Sequence, residues 1–138
     1  MDNTISYLNT DLDLTSAEDP TALAAALEAG GLPPLHVTHG ADGLWHATFE
    51  TSAQFEEPAP NIAAMLAVVE SLGRQQRSVW DRCTSREFNI GYECGAEPWA
   101  FNQALPAELL GRMAAAGAAL RVTLYPDREP ARPDQLLP

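Results

Sequence analysis

Two stretches of this chain follow nearly the same pattern. PTALAAALEAGGLPPLHVT, residues 20–38, and PAELLGRMAAAGAALRVT, residues 106–123, each open on a proline, run through an alanine- and leucine-rich helical segment, break at glycine and end in a short strand. Each also follows an alternating strand, ISYLNTDLDL in the first case and REFNIGYEC in the second. The strand-helix-strand unit therefore occurs twice. A chain built this way forms a sheet that carries helices, an α+β domain.

The remaining elements fall between these anchors. In the first strand Leu8, Leu12 and Leu14 share one side, and Tyr7, Asn9, Asp11 and Asp13 the other. Ser16 or Asp19 caps the first helix, Pro20 suits its opening turn, and Leu23, Ala24 and Leu27 form its apolar stripe. LPPLHVTH and LWHATFET read as a hairpin joined through GADG. PAPNIAAMLAVVESL is a second helix with Ile62, Met65, Leu66 and Val69 inward; Gly73 breaks or kinks it before RQQRSVWDRC continues in register. Phe88, Ile90, Tyr92 and Cys94 point inward from the fourth strand, and Leu120, Val122 and Leu124 from the fifth.

The order is thus β-α-β-β-α-β-α-β in a single domain, residues 1–126, and its first six elements have the split β-α-β, ferredoxin-like, sequence. Right-handed crossovers predict a five-stranded mixed sheet of order 5-4-1-3-2 with the helices on one face. PDREPARPDQLLP, four prolines in thirteen residues, predicts an extended or mobile C-terminal tail over 127–138. A chain of 138 residues buries roughly two-thirds of its unfolded surface, so neither disulfide nor metal is needed for stability. Cys83 and Cys94 lack CxxC spacing and read as reduced thiols. No leader pattern and no spanning apolar run is visible, which predicts a cytoplasmic protein that does not enter membranes.

Charge is the strongest global signal. The chain has no lysine; residues 1–73 hold eleven acids and no lysine or arginine, and residues 74–138 hold eight acids and eight arginines, so the whole formal charge of −11 lies in the first half. Such a field repels nucleic acid and anionic lipid and draws in basic proteins. Strand parity places the acids on the uncovered sheet face: Asp11 and Asp13, then Glu50, then Glu87 and Glu93, among His36, Thr38, His46, Thr48, Asn89, Arg121 and Thr123.

All three histidines lie in HVTHGADGLWH, residues 36–46. Pairing Val37 with Ala47 sets His36 and His46 diagonally on the uncovered face, while His39 sits at the turn. Two imidazoles are too few for zinc, which takes three or four protein ligands, so His36 and His46 are a weak alternative metal site that Asp11, Asp13 or Glu50 would have to complete. Cys94 beside Glu93 is a poor nucleophile, because a neighbouring carboxylate raises a thiol pKa. No GxSxG, P-loop or GxGxxG pattern occurs, and no acid pair stands out as catalytic. Arg74, Arg77, Arg82 and Arg86 suit the C-terminal dipole of the second helix better than they suit a phosphate site. The loop GYECGAEPWAFNQAL offers Glu97 with Trp99 and Phe101 either as partner anchors or as a lid over the core.

The stretch FNIGYECGAEPWAFNQALPAELLGRMAAAGAALRVTLYP, together with the DLDL strand, resembles an uncharacterised family of small bacterial domains of unknown function, some of whose members lie near polymorphic-toxin immunity genes. The markers are the loop with Glu97, Pro98 and Trp99, the helix motif AELL, and the turn Ala116-Gly117-Ala118 before a hydrophobic strand. The resemblance implies an immunity-type protein and brings no catalytic residues with it. The resulting expectation is a non-enzymatic acidic binding module without cofactor, monomeric or weakly self-associating. It would inhibit a basic, toxin-like protein partner through Asp11, Asp13, Glu50, Glu87, Glu93, Glu97, Trp99 and Phe101. The alternative is a small-ligand binder or minor enzyme with a pocket near the loop 95–103.

Overall fold

A computed structural model describes residues 3–126; the expected tail over 127–138 lies outside the described residues. The elements are β1 (Ser6–Ser16), α1 (Thr21–Ala29), β2 (Pro34–His39), β3 (Trp45–Phe49), α2 (Pro58–Glu70), α3 (Arg74–Arg82), β4 (Ser85–Glu93), α4 (Ala107–Ala115) and β5 (Ala119–Tyr125). They form an α+β fold with one five-stranded mixed sheet of order β2-β3-β1-β4-β5, which read from the other edge runs 5-4-1-3-2. β1 is central and antiparallel to both β3 and β4, β2 is antiparallel to β3, and β5 is parallel to β4. No described helix is long and apolar enough to cross a membrane.

One face of the sheet carries the core. Leu12, Leu14, Ala47, Phe49, Phe88, Ile90 and Tyr92 meet Leu23 and Leu27 of α1, Ile62, Met65, Leu66 and Val69 of α2, Trp80 of α3, and Leu109 and Met113 of α4. The Trp80 indole N–H donates to the Ala116 carbonyl at 2.8 Å, joining α3 to the end of α4 and satisfying a polar group at zero exposure. Arg86 donates to the carbonyls of Trp80, Asp81, Cys83 and Gly117, so one guanidinium closes the C-terminal end of α3 and fastens it to the turn before β5. Cys83 and Cys94 are both free thiols, and burial raises the Cys83 pKa.

Of the break or kink expected at Gly73, the structure has the break: Gly73 takes an extended conformation (φ −63°, ψ 161°) that ends the path of α2 and starts α3 afresh. Two features depart from the sequence reading. In β1 the ladder with β4 shifts between Tyr7 and Asn9, and this bulge exchanges the sides of two residues. Tyr7 turns inward, with its ring centroid 5.9 Å from that of Tyr92 and its hydroxyl 2.6 Å from Thr10 Oγ1, while Leu8 is pushed out to 46% exposure. Finally, Leu120, Val122 and Leu124 continue the inner rows of Phe88, Ile90 and Tyr92 but remain 41%, 53% and 61% exposed. α4 packs on α2, held by Arg112 against Glu70 at 2.8 Å, and does not extend over the edge strand.

Candidate functional site

The hairpin has the register that alternation requires. Val37 pairs with Ala47, His36 with Thr48 and Thr38 with His46. Its histidines are occupied locally: His39 stacks on Trp45 with centroids 4.5 Å apart, and His46 Nε2 lies 2.9 Å from Asp42 Oδ2. Among the described residues no three His, Cys, Asp or Glu side chains come together in a way that could hold a metal ion. His36 and His46 thus lie on a strand pair without a third ligand.

The concave part of the uncovered face lies at the other end of the central strands. Leu8, Asn9 and Asp11 of β1, Asn89, Gly91 and Glu93 of β4, and Tyr125 and Pro126 at the end of β5 enclose a pocket of about 360 Å³. Each contribution has a local cause. The bulge turns Leu8 into the wall, and Gly91 sits between Asn9 and Tyr125, where even a methyl group would come within 3.5 Å of both. β3 ends at Phe49, opposite Leu12, so the early part of β1 has no strand on that flank and Glu50 can reach across to Asn9.

A polar network supports the pocket. Asn9 Nδ2 donates to Asp11 Oδ1 at 3.1 Å and to Glu50 Oε2 at 2.7 Å, while its own carbonyl oxygen accepts from Asn61 Nδ2 at 3.4 Å. Asn61, on α2 and 1% exposed, also donates to the Tyr7 hydroxyl at 2.8 Å and accepts from Thr51 Oγ1 at 3.0 Å. A buried amide thus fixes the side chain that binds two carboxylates. Thr48 donates to Asp13 at 2.7 Å, and Thr123 to Asn89 at 2.7 Å.

Electrostatically the site is strained. Burial first, then the charges of Asp13 and Glu50, push the Asp11 carboxyl up to about 6, and the Asn9 amide offsets only part of this. The ion pairs of the described arginines are made with other acids. Arg121 holds Glu87 at 2.6 Å, Arg82 holds Glu18 at 2.8 Å, Arg112 holds Glu70 and Arg77 holds Asp81. Among the described residues, Asp11, Asp13, Glu50 and Glu93 enter no ion pair.

Of the residues expected to meet a partner, Asp11 and Glu93 line the pocket, and Asp13 and Glu50 act on it from beside. Glu87 shares the face but is neutralised by Arg121. The loop 95–103 contributes nothing to the pocket lining. Its Glu97 carbonyl accepts from Ile5 N at 2.7 Å, and Phe101 packs edge-on against Tyr92 at 5.1 Å, on the helix side of the sheet. Trp99 projects at 98% exposure. The aromatic anchors and the acids therefore do not form one cluster as expected, because the chain crosses to the opposite face after Glu93. Asn9, Asn61, Leu8 and Gly91 were not singled out as site residues; only the bulge and the end of β3 bring them together.

The fold and pocket define a small α+β protein with an open, acid-lined sheet face. Compared with family models, with curated proteins and with solved structures, the chain matches none.

Proposed function

We propose that this chain is a non-enzymatic binding protein that receives a basic protein partner on its open sheet face, with a cationic side chain of that partner seated between Asp11 and Glu93. What carries the reading is that four carboxylates lie in and beside one concavity and, among the described residues, no arginine forms an ion pair with them, the arginine–acid pairs of those residues being made elsewhere. A guanidinium or ammonium group entering there offsets the burial and the repulsion that together raise the Asp11 pKa, and the amides of Asn9 and Asn89 orient it. The net charge of −11 adds long-range attraction to a basic surface. The role this chemistry fits is that of an immunity-type inhibitor covering a basic toxin or enzyme, in keeping with the resemblance of the last strand-helix-strand unit to bacterial domains of unknown function, some of whose members lie near immunity genes. The ferredoxin-like description of the first six elements belongs to the same proposal, supported by the position of β1 between β3 and β4.

One observation favours a second reading. A pocket of about 360 Å³ lies within the size range of small-molecule sites, roughly 300–1,000 Å³, so a small organic cation could occupy it alone. Capture of partners from the native host, followed by titration of the isolated pair, separates the two. The protein-partner reading expects a basic protein whose affinity falls with salt and drops at least tenfold, about 1.4 kcal/mol, in Asp11→Asn and in Glu93→Gln. Recovery of no basic protein, or an affinity indifferent to salt and to both substitutions, refutes it.

A further inference from the structure

The two edges of the sheet are built differently. β2 opens on Pro34, and its ladder shifts between Pro34 and His36, two features that discourage a further strand from pairing there. β5 has neither. Its seven residues pair with β4 without interruption, contain no proline, and carry one charge, Arg121, already held by Glu87 at 2.6 Å. Among the described residues nothing pairs with its outer side, and a regular unpaired strand is a template for another strand.

The backbone direction of β5 follows from one contact. Cys94 N donates to the Tyr125 carbonyl at 2.8 Å, so in this parallel pair the odd-numbered residues turn their peptide groups toward β4. Leu120, Val122 and Leu124 therefore direct theirs away from the sheet, and their exposed side chains prolong the buried rows of the core. We infer that the occupant of this edge is a second copy of the chain, its β5 antiparallel to the first about a two-fold axis at Val122.

The segment is self-complementary in that register. Val122 meets Val122 and Leu120 meets Leu124 of the other copy, as residues whose outward N–H and C=O groups exchange hydrogen bonds. All three apolar pairs fall on the helix-side face. On the open face Arg121 meets Thr123, so no like charges stand directly opposite. Charge disposition also favours a second copy at this edge. The acid-rich half of the chain forms β1, α1, β2, β3 and α2, and pairing through β5 places β2 and β3 of the two copies at the far ends of one continuous sheet.

Sedimentation of the full chain, with site-directed cross-linking, tests the arrangement. The expected mass is that of two 14.9 kDa chains. Val122→Lys, at a position exposed enough to accept it, gives the mass of one chain with an unchanged circular dichroism spectrum. In a Cys94→Ser background, Val122→Cys forms an intermolecular disulfide, since the two Cα atoms stand about 5.5 Å apart in such a pair. Leu120→Cys does not, because the two copies of that residue lie about 13 Å apart along the strands. A single-chain mass for the unaltered protein overturns the inference and leaves this edge to a different protein. A dimer that survives Val122→Lys, or equal cross-linking at both positions, overturns it as well.

Discussion

Asp11→Asn should make this protein more stable at neutral pH and a poorer binder. Burial and the neighbouring carboxylates raise the Asp11 pKa from 3.8 to about 6. A carboxyl group whose pKa is higher folded than unfolded favours the folded state only while it is protonated. The resulting penalty is absent below the unfolded value, grows from about pH 4 to 6, and is complete above that. Two pKa units at ~1.36 kcal/mol each set a ceiling of about 3 kcal/mol, and solvent screening of a partly exposed side chain reduces the realised figure to about 1–2 kcal/mol. Asparagine keeps an oxygen for the Asn9 amide, so the substitution removes the charge and little else. Urea denaturation at a series of pH values measures it. The variant should gain about 0.5–1 M in midpoint at pH 7.5, with the gain disappearing near pH 3.5. Loss of stability at pH 7.5, or a gain of the same size at both ends of the series, would refute the electrostatic account. A gain in stability together with loss of partner binding is the signature of a site held in a costly charge state for its function.

Other substitutions probe the supports of that site. Asn61→Ala should cost about 2 kcal/mol in chemical denaturation, since it removes a 1% exposed amide that bonds Thr51, Tyr7 and Asn9, and partner affinity should fall with it because Asn9 loses its anchor. Tyr92→Phe should leave stability unchanged or raise it by up to about 1 kcal/mol, because the buried hydroxyl has no hydrogen-bond partner among the described residues; a loss above that size would contradict this, and thermal unfolding reads it directly. Gly95→Ala should destabilise the junction between the N-terminal segment and the loop after β4, since an added Cβ would lie within 3.0 Å of the Asn3 backbone; limited proteolysis there should accelerate. Binding of a basic partner should strengthen between pH 5 and pH 7.5 as Asp11 loses its proton, an ordering that calorimetry at the two pH values would check.

Local chemistry made much of the fold legible in the sequence. Alternation in β1 from Asn9 onward, in β3 and in β4 assigned each side chain to its face, and the short turn from Gly40 to Gly43 left the hairpin one register that buries Ala47 and Phe49 while exposing His36. The acidity of the open face was visible for the same reason: period two and the concentration of acids before residue 74 are both properties of the linear chain. Tertiary structure decided the rest. The bulge that exchanges Tyr7 for Leu8 exists only relative to β4, a partner more than eighty residues away. Leu120, Val122 and Leu124 have the pattern of core residues, yet whether a helix covers them depends on α4 settling against α2. Asp11 is a surface acid by sequence; its pKa near 6 arises when the surrounding residues remove water from it and when Asp13 and Glu50, the latter reaching across the end of β3, add their charges. Periodicity encodes which way a side chain points, but coverage and electric field depend on neighbours distant in the chain, and only the folded structure supplies those.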